Sequence, residues 1–211
     1  MNKIRCIIIL VFSILLLGNM SAEAQNIPYM SLIDSQEMKY MDNAEISIDA
    51  WREYQYYTKN KYGEDSKEFA STIFDTVVFK LHYNQFFSYS PLSIHISFNK
   101  KSSKKACCHY PMVGLSYEQC LDYCKWRTDV CNYKVEGVKK ITFSLPSEFD
   151  YAKAVSYAKI TNKPPLSKLT LKKRGQINGL TDNVNEYVLD KKINPTDNPI
   201  GFRCVAIIEK D

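Results

Sequence analysis

The sequence has few of the features that mark a membrane protein, a repeat protein or a histidine-based enzyme. After residue 17 no apolar run is long enough to span a bilayer, which takes roughly 20 residues, and no internal repeat or low-complexity segment is present. The 211 residues include only three histidines, so a nucleophile activated by histidine has few candidates. We therefore expect a soluble mature chain with no transmembrane segment.

Neither sign of charge is in large excess, because the formal net charge is only +5. Two clusters lie in stretches that contain serine, glycine or proline, as loops do: Lys100, Lys101, Lys104 and Lys105, then Lys172, Lys173 and Arg174. We interpret both as solvated loops, with binding to an acidic polymer or a membrane surface as the alternative. No nucleic-acid motif is recognisable, and we expect no nucleic-acid partner.

The one long apolar run lies at the N-terminus and predicts export. Lys3 and Arg5 precede apolar residues 6–17, and Ala22 and Ala24 are small residues at the two positions that a signal peptidase reads. The run of about 12 residues is shorter than the roughly 20 of a membrane anchor. These features predict a cleavable signal peptide and an exported protein that is periplasmic or secreted.

The predicted signal peptide is residues 1–24, and residues 25–211 remain as a single domain. That mature chain has 211 − 24 = 187 residues, an ordinary length for one domain. Six cysteines remain in it: Cys107, Cys108, Cys120, Cys124, Cys131 and Cys204. An even number in an exported chain favours disulfide bridges over free thiols.

A metal site could be built from the adjacent Cys107, Cys108 and His109. Zinc sites need a second pair of ligands, and adjacent cysteines cannot easily supply two tetrahedral ligands. We therefore predict disulfides rather than metal. Cys120 and Cys124, one helical turn apart, should each seek a distant partner.

Three helices are predicted from capping residues at their N-termini. The capping residues are Ser47, Ser116 with Gln119, and Ser147 with Asp150. The first helix carries an aromatic stripe that includes Trp51 and Tyr54 and ends at Gly63; we expect this stripe to pack in the core. The third helix is expected to end near Lys159.

Strands are predicted from runs of β-branched and aromatic residues. The runs are Val77–Tyr83, Leu92–Phe98 and Gly201–Ile208, and residues 25–44 are expected to be an extended lead-in with short strands. Alternation in the second run places His95 on the face opposite the apolar residues. We therefore expect His95 to be exposed and without a catalytic partner.

Several short motifs follow one another in an order that is typical of one family. They are Glu45-Ile46-Ser47 before the first helix, Pro111–Ser116 with Tyr123, Cys124 and Trp126, Phe143–Glu148 with Tyr151, Gly179–Tyr187, and Gly201-Phe202-Arg203. Over residues 30–208 they resemble the E-V-T, P-V-x-x-V-S-W…Y/F-C-x-W, Y-R-L-P-T-E-A-E-W, G-L-x-D-M-x-G-N-V-W-E-W and G-F-R motifs of the formylglycine-generating enzyme family, the sulfatase-modifying factor domain.

The resemblance implies a compact, irregular α+β domain related to the C-type lectin fold, with few short strands and two to three helices. It also implies a disulfide between Cys124 and Cys204, since family members with a cysteine in the Y-C-x-W helix pair it with the one after G-F-R. Closing a loop of about 80 residues could stabilise the fold by roughly 4 kcal/mol. Two further bridges among the other four cysteines are expected, and their pairing stays open.

The departure from the family concerns catalysis. The active enzymes carry a pair of copper-binding cysteines before the terminal G-F-R, and here residues 188–200 contain neither cysteine nor arginine. We therefore predict no catalytic residues. The family also implies a calcium loop, for which Asn183 and Glu186 are the candidate ligands. Asp182 and Asn185 replace its glycine and tryptophan, and we favour a turn in which Glu186 is hydrogen-bonded or solvated.

The sequence thus predicts an exported, non-catalytic module that binds a protein or glycan partner or serves as a cell-envelope component. The alternative is an enzyme, either a formylglycine-generating oxidoreductase or a thiol redox enzyme that uses Cys107 and Cys108. A third interpretation is a subunit of a larger complex without a ligand of its own. We predict no cofactor, with calcium at the Asn183 and Glu186 loop as the alternative.

Overall fold

The computed structural model describes residues 27, 29–83, 87–89, 96–98, 109–132, 138–157, 166, 169, 176–180, 183–190 and 199–210. The predicted signal peptide, Cys107, Cys108, His95 and both basic clusters lie outside these ranges. The described helices are α1 Ile48–Tyr62, α2 Lys67–Ala70, α3 Thr76–Tyr83, α4 Tyr117–Asn132 and α5 Glu148–Tyr157. The described strands are β1 Met30–Asp34, β2 Lys39–Asp42, β3 Phe87–Tyr89, β4 Ile96–Phe98, β5 Val138–Ser144, β6 Asn185–Glu186, β7 Ile200–Gly201 and β8 Val205–Lys210.

A four-stranded antiparallel sheet in the order β1-β2-β8-β5 is the largest sheet of the described residues. The last strand lies between the N-terminal hairpin and β5, with Ala206 opposite both Tyr40 and Phe143. Strands β3 and β4 pair antiparallel, and β6 and β7 pair parallel. Helices and small sheets together confirm the predicted α+β class. The predicted C-terminal strand is interrupted, because Gly201 belongs to β7 and β8 begins only at Val205.

The three predicted helix starts are confirmed by hydrogen bonds at their caps. The Ser47 hydroxyl accepts the amide of Ala50, 3.1 Å away, at the start of α1. At α4 the Ser116 hydroxyl accepts the Gln119 amide while the Gln119 side chain accepts the Ser116 amide. At α5, Ser147 and Asp150 make the same reciprocal pair. Each capping box satisfies backbone donors that the helix leaves unpaired.

The predicted strand Val77–Tyr83 is wrong, because this segment is helix α3. The Asp75 carboxylate accepts the amides of Val77 and Val78 and caps the first turn. Phe79 and Tyr83, four residues apart, are fully buried, whereas Val77 is 76% exposed. Burial of these two residues on one face therefore favours a helix, although the β-branched residues of this segment are typical of a strand. Of the second predicted strand, Ile96–Phe98 is a strand and residues 91–95 lie outside the described ranges.

The core lies between α1, α4 and the large sheet, and aromatic rings fill it. Trp51 of α1 is fully buried, stacks on Tyr123 of α4 at 5.7 Å between ring centroids, and meets the edge of Phe202 at 6.3 Å. Its indole N–H donates to the carbonyl of Thr72. The prediction that the α1 stripe packs in the core is confirmed for Trp51 and Tyr54. In the described part of the chain, no helix has the length and apolar character needed to cross a membrane.

Candidate functional site: a buried arginine cluster beside an open cavity

Arg203, the last residue of the G-F-R motif, lies at the centre of a buried charged cluster. Its side chain is fully buried and grips Glu186 with two hydrogen bonds, Nε to Oε2 at 2.7 Å and Nη2 to Oε1 at 2.6 Å. Tyr151 of α5 donates its hydroxyl to the same carboxylate. Burial lowers the pKa of Arg203, but Glu186 and then Glu45 outweigh it and raise the pKa above its usual range. The guanidinium therefore stays charged.

Backbone carbonyls accept further hydrogen bonds from the guanidinium. The Asp42 carbonyl accepts from Nη1 at 3.3 Å, and those of Asn178 and Gly179 accept from Nη2 at 3.1 and 3.3 Å. These acceptors come from the end of β2 and from the segment before β6. Arg203 thus joins three distant parts of the chain, and a buried charge held this way is one the fold requires.

Glu45 is the second carboxylate of this Arg203 cluster. It is 2% exposed, and its Oε2 lies 3.8 Å from Arg203 Nη2. Neither of its oxygens has a hydrogen bond of normal geometry from the described residues, although the Asn183 side chain is near enough to lower the pKa. Burial outweighs Arg203 and, together with Glu186, raises the pKa of Glu45 to about 7. One guanidinium between two buried carboxylates leaves Glu45 incompletely compensated.

Gly179 permits the close packing around Glu45. Its φ of +66° lies in the left-handed region that glycine adopts freely. A Cβ at this position would overlap a carboxylate oxygen of Glu45 and would lie 3.0 Å from the Asn183 Cβ. The glycine of the G-L-x-D motif is therefore required by both its backbone angle and its neighbours.

Asp42 and Arg127 connect the Arg203 cluster to the helices. Arg127 of α4 forms a bidentate pair with the Asp42 carboxylate, at 2.7 and 2.9 Å, and the same carboxylate accepts the Cys204 amide at 2.9 Å. The guanidinium also lies 4.4 Å from the centre of the Phe143 ring. Two planar hydrogen bonds and an aromatic face fix Arg127 in one position.

Beside this pair opens a cavity of about 820 Å³, which we call the α1–α4 cavity. Its lining residues come mainly from α1, α4 and the segment that follows β2: Tyr29, Asp42, Ala44, Glu45, Ile46, Ser47, Asp49, Ala50, Arg52, Glu53, Tyr56, His109, Tyr123, Trp126, Arg127, Val130 and Cys131. Four carboxylates and two guanidinium groups are among them. Pockets of this size hold small ligands or a few residues of a peptide.

One face of α1 forms the acidic wall of the cavity. Asp49, Glu53 and Tyr56 lie at positions i, i+4 and i+7, which share one side of a helix. Arg52 approaches Asp49 at 3.4 Å, and Glu53 forms no ion pair with any described residue. Tyr56 is 63% exposed, and its ring makes no aromatic or cation contact within the described ranges. This wall therefore presents an unpaired carboxylate and an uncovered ring.

Helix α4 forms another wall of the cavity, to which it contributes Trp126. The indole packs against Tyr54 and Tyr123, each 5.1 Å away between ring centroids, and against Tyr57 at 5.9 Å. Its N–H is buried without a hydrogen-bond acceptor among the described residues. Three rings of the protein pack against this side chain, so its position in the wall does not depend on a ligand.

Most predicted site residues lie apart from the cavity. The Sγ atoms of Cys124 and Cys204 lie 3.6 Å apart and both are free thiols in this structure, against about 2.05 Å for a disulfide. The proximity brings the predicted partners together, and the bond itself stays a prediction. Burial raises the pKa of the Cys204 and Cys120 thiols. Cys131 lines the α1–α4 cavity.

The predicted calcium ligands do not fit a calcium ion in this arrangement. Asn183 and Glu186 are both buried, but the carboxylate of Glu186 is already bound by Arg203 and Tyr151. A calcium ion would have to displace a guanidinium from both carboxylate oxygens. In the part of the chain that is described, no three metal-binding side chains lie together.

Sequence reasoning missed the roles of Glu45, Arg203 and Asp49. The first two stand inside motifs that the sequence analysis had singled out, so a search for charged residues within those motifs could have found them. The cavity residues of the exposed face of α1 carry no such signal. Asp49, Glu53 and Tyr56 are ordinary residues of an amphipathic helix, and only the fold reveals that their face is open.

Comparisons with protein-family models, curated proteins and solved structures found no match to this chain.

Proposed function

We propose that this protein is an exported, non-catalytic member of the sulfatase-modifying factor family, with the C-type-lectin-like fold of that family, and that it recognises a protein or glycan partner outside the cytoplasm or serves as a cell-envelope component. The observation that carries the recognition role is the α1–α4 cavity. This cavity of about 820 Å³ is lined by charged side chains and aromatic rings, and two of the rings belong to exposed tyrosines. Such a surface is typical of ligand sites.

The family assignment is supported by the way the motifs meet in space. The E-I-S motif supplies Glu45, the G-L-x-D region supplies Gly179 and Glu186, and the terminal motif supplies Arg203, all within one cluster. The Leu-Pro motif adds Tyr151 through its hydrogen bond to Glu186. Motifs that were chosen only by sequence order thus make one buried network, which a chance resemblance would not require.

A non-catalytic role is supported by where the reactive groups lie. Tyr151, Glu186 and Arg203 are bound to one another, and residues 188–200 contain no cysteine. Cys204 lies next to Cys124 and is fully buried. A thiol placed this way is a structural partner rather than a nucleophile that meets substrate.

Recognition through the cavity can be tested by filling the cavity with a larger side chain. Ala50 lines the cavity, and Ala50→Phe would fill part of it. The matched control is Ala152→Phe, an exposed position on α5 that does not line the cavity. Arrays of defined glycans and defined peptides are probed with the wild type and both variants. We expect at least one ligand that is lost with Ala50→Phe and kept with Ala152→Phe; equal binding by all three proteins would contradict the proposal.

Counting free thiols distinguishes the enzymatic alternative from the proposed non-catalytic function. The protein is purified from an oxidising compartment, unfolded without reductant and titrated with a thiol reagent. We expect no free thiol among its six mature cysteines, because paired bridges support a structural role. Two reactive thiols that take up Cu(I) would instead favour the oxidoreductase. Purification as a stable complex, with no ligand for the free chain, would favour the subunit interpretation.

A further inference from the structure

We infer that the α1–α4 cavity binds a lysine or arginine side chain of a partner protein, held by the carboxylates of Asp49 and Glu53 against the ring of Tyr56. The inference rests on the proposed recognition function and names the chemistry of its ligand. It follows from charge accounting, from the aromatic surfaces and from the size of the cavity, each of which is independent of the others.

The charges of the lining do not balance. Four carboxylates line the cavity against the two guanidinium groups of Arg52 and Arg127. Arg127 is fully engaged by Asp42, in a bidentate pair at 2.7 and 2.9 Å. Arg52 faces Asp49 at the longer distance of 3.4 Å, which is a weak contact for a half-exposed carboxylate. The negative charge in excess therefore lies on Glu53 of the wall, whereas Glu45 at the buried end shares Arg203 with Glu186.

The surroundings of Glu45 also indicate that the site lacks a positive charge. It is 2% exposed and lines the cavity, yet neither oxygen accepts a hydrogen bond of normal geometry from the described residues. Arg203 lies 3.8 Å away but is held by Glu186. A buried carboxylate without full compensation is costly, and a cation entering the cavity would reduce that cost.

The aromatic rings favour an organic cation over a metal ion. Elsewhere the protein covers exposed rings with its own cations: Lys61 lies 5.5 Å from the Tyr57 ring and 5.0 Å from the Tyr62 ring. Tyr29 and Tyr56, both on the cavity, are 60% and 63% exposed and carry no such partner among the described residues. An ammonium or guanidinium group gains from a ring face as well as from a carboxylate.

The size of the cavity favours a protein segment over a small ion. A volume of about 820 Å³ between two helix faces exceeds that of one side chain and accommodates neighbouring residues of a chain. A neutral glycan would also fit, but it would gain nothing from the unbalanced charge. The lining therefore selects a basic segment of a partner protein.

The test measures binding of a defined cationic probe by calorimetry. The probe is the tetrapeptide Ac-Lys-Lys-Lys-Lys-NH2, with its Nε-acetylated form as the uncharged counterpart. Asp49→Asn with Glu53→Gln removes two charges from the wall without changing its shape. Asp65→Asn with Glu68→Gln removes the same charge from outside the cavity, at an exposed and a partly exposed position. Spermidine, a free polyamine, is the third probe.

We expect the charged tetrapeptide to bind and its acetylated form to fail. The wall variant should bind the charged form about tenfold more weakly, the loss of two moderate charge contacts, while the outside variant should bind as the wild type does. Equal weakening by both variants would mean that general charge attraction alone is acting, and it would overturn the inference. Spermidine binding as tightly as the tetrapeptide would overturn the choice of a protein partner.

Failure of this inference and failure of the proposed function give different results. If neither tetrapeptide binds but a glycan or an acidic peptide is lost with Ala50→Phe, the recognition function stands and the cationic ligand is wrong. If no probe of any class depends on the cavity, both proposals are wrong.

Discussion

The buried Arg203 cluster and the α1–α4 cavity are built from the same kinds of side chain and serve opposite ends. In the cluster, each nitrogen of the Arg203 guanidinium donates to at least one carboxylate or carbonyl oxygen, and the side chain is buried away from water. In the cavity, Glu53 and Tyr56 face solvent without a partner in the described part of the chain. The charges of the Arg203 cluster pair with one another inside the fold, whereas those of the cavity wall remain available to a ligand.

The largest expected effect is the removal of Arg203. In Arg203→Met the carboxylates of Glu186 and Glu45 lose their shared cation while they stay buried. Breaking a buried pair by removing one partner costs about 3–5 kcal/mol, and we expect a loss of that size in urea unfolding. Arg52→Met, on the half-exposed cavity wall, should cost less than about 1 kcal/mol. Similar losses for both variants would erase the distinction between the two regions.

The second effect is a pH dependence that belongs to Glu45. Its pKa is raised to about 7 in the folded state, mainly by burial, against 4.5 for the ordinary group. Between these values the folded protein holds a proton that the unfolded chain has released, so its stability falls as pH rises from about 5 to 7. The shift corresponds to about 3 kcal/mol across the window.

Glu45→Gln removes this titration and isolates it from other groups. Burial lowers the pKa of His82, so this group makes stability rise with pH and opposes the effect of Glu45. The quantity to measure is therefore the difference in stability between the variant and the wild type at each pH. We expect the variant to gain stability relative to the wild type as pH rises from 5 to 7.5, in urea unfolding at each pH. A constant difference across that range would show that Glu45 is fully compensated.

Asp42→Asn should have an intermediate effect, because Asp42 belongs to both regions. Its carboxylate binds Arg127 twice and accepts the Cys204 amide, and it also lines the cavity. Asparagine keeps one acceptor and loses the charge, so we expect a loss of about 2 kcal/mol. Thermal unfolding measures it, with Asp122→Asn as a control, since the ion pair of Asp122 in the described part of the chain is an exposed one with Lys125. An unchanged midpoint for Asp42→Asn would mean that Arg127 finds another acceptor.

The local parts of this fold could be predicted from the sequence. Ser47, Ser116 and Ser147 each begin a helix because a hydroxyl can satisfy an amide within three residues, a rule that needs no tertiary context. Helix α3 could not be predicted that way. Its β-branched residues favour a strand locally, and only burial of Phe79 with Tyr83 on one helical face decides otherwise.

The candidate site divides in the same manner. The partners of the Arg203 cluster lie inside sequence motifs, yet the ion pair between Glu186 and Arg203 depends on the parallel pairing of β6 with β7, which no periodicity signals. The cavity depends on the spacing between α1 and α4, a long-range property of packing. Sequence patterns identify side chains of either kind but not which of them are left without a partner.

The smallest expected effect sharpens the comparison most. Glu53→Gln removes a charge that has no ion pair among the described residues, on the exposed face of α1. Surface substitutions away from packing and caps usually change stability by less than about 0.5 kcal/mol, and we expect urea unfolding of this variant to match the wild type. Glu64→Gln, which breaks an exposed pair with Lys59, is the matched control. If Glu53→Gln stabilised the fold clearly more than the control does, Glu53 would be a strained residue kept for binding; if it destabilised the fold, the carboxylate would have a structural partner and the cavity wall would resemble the interior after all.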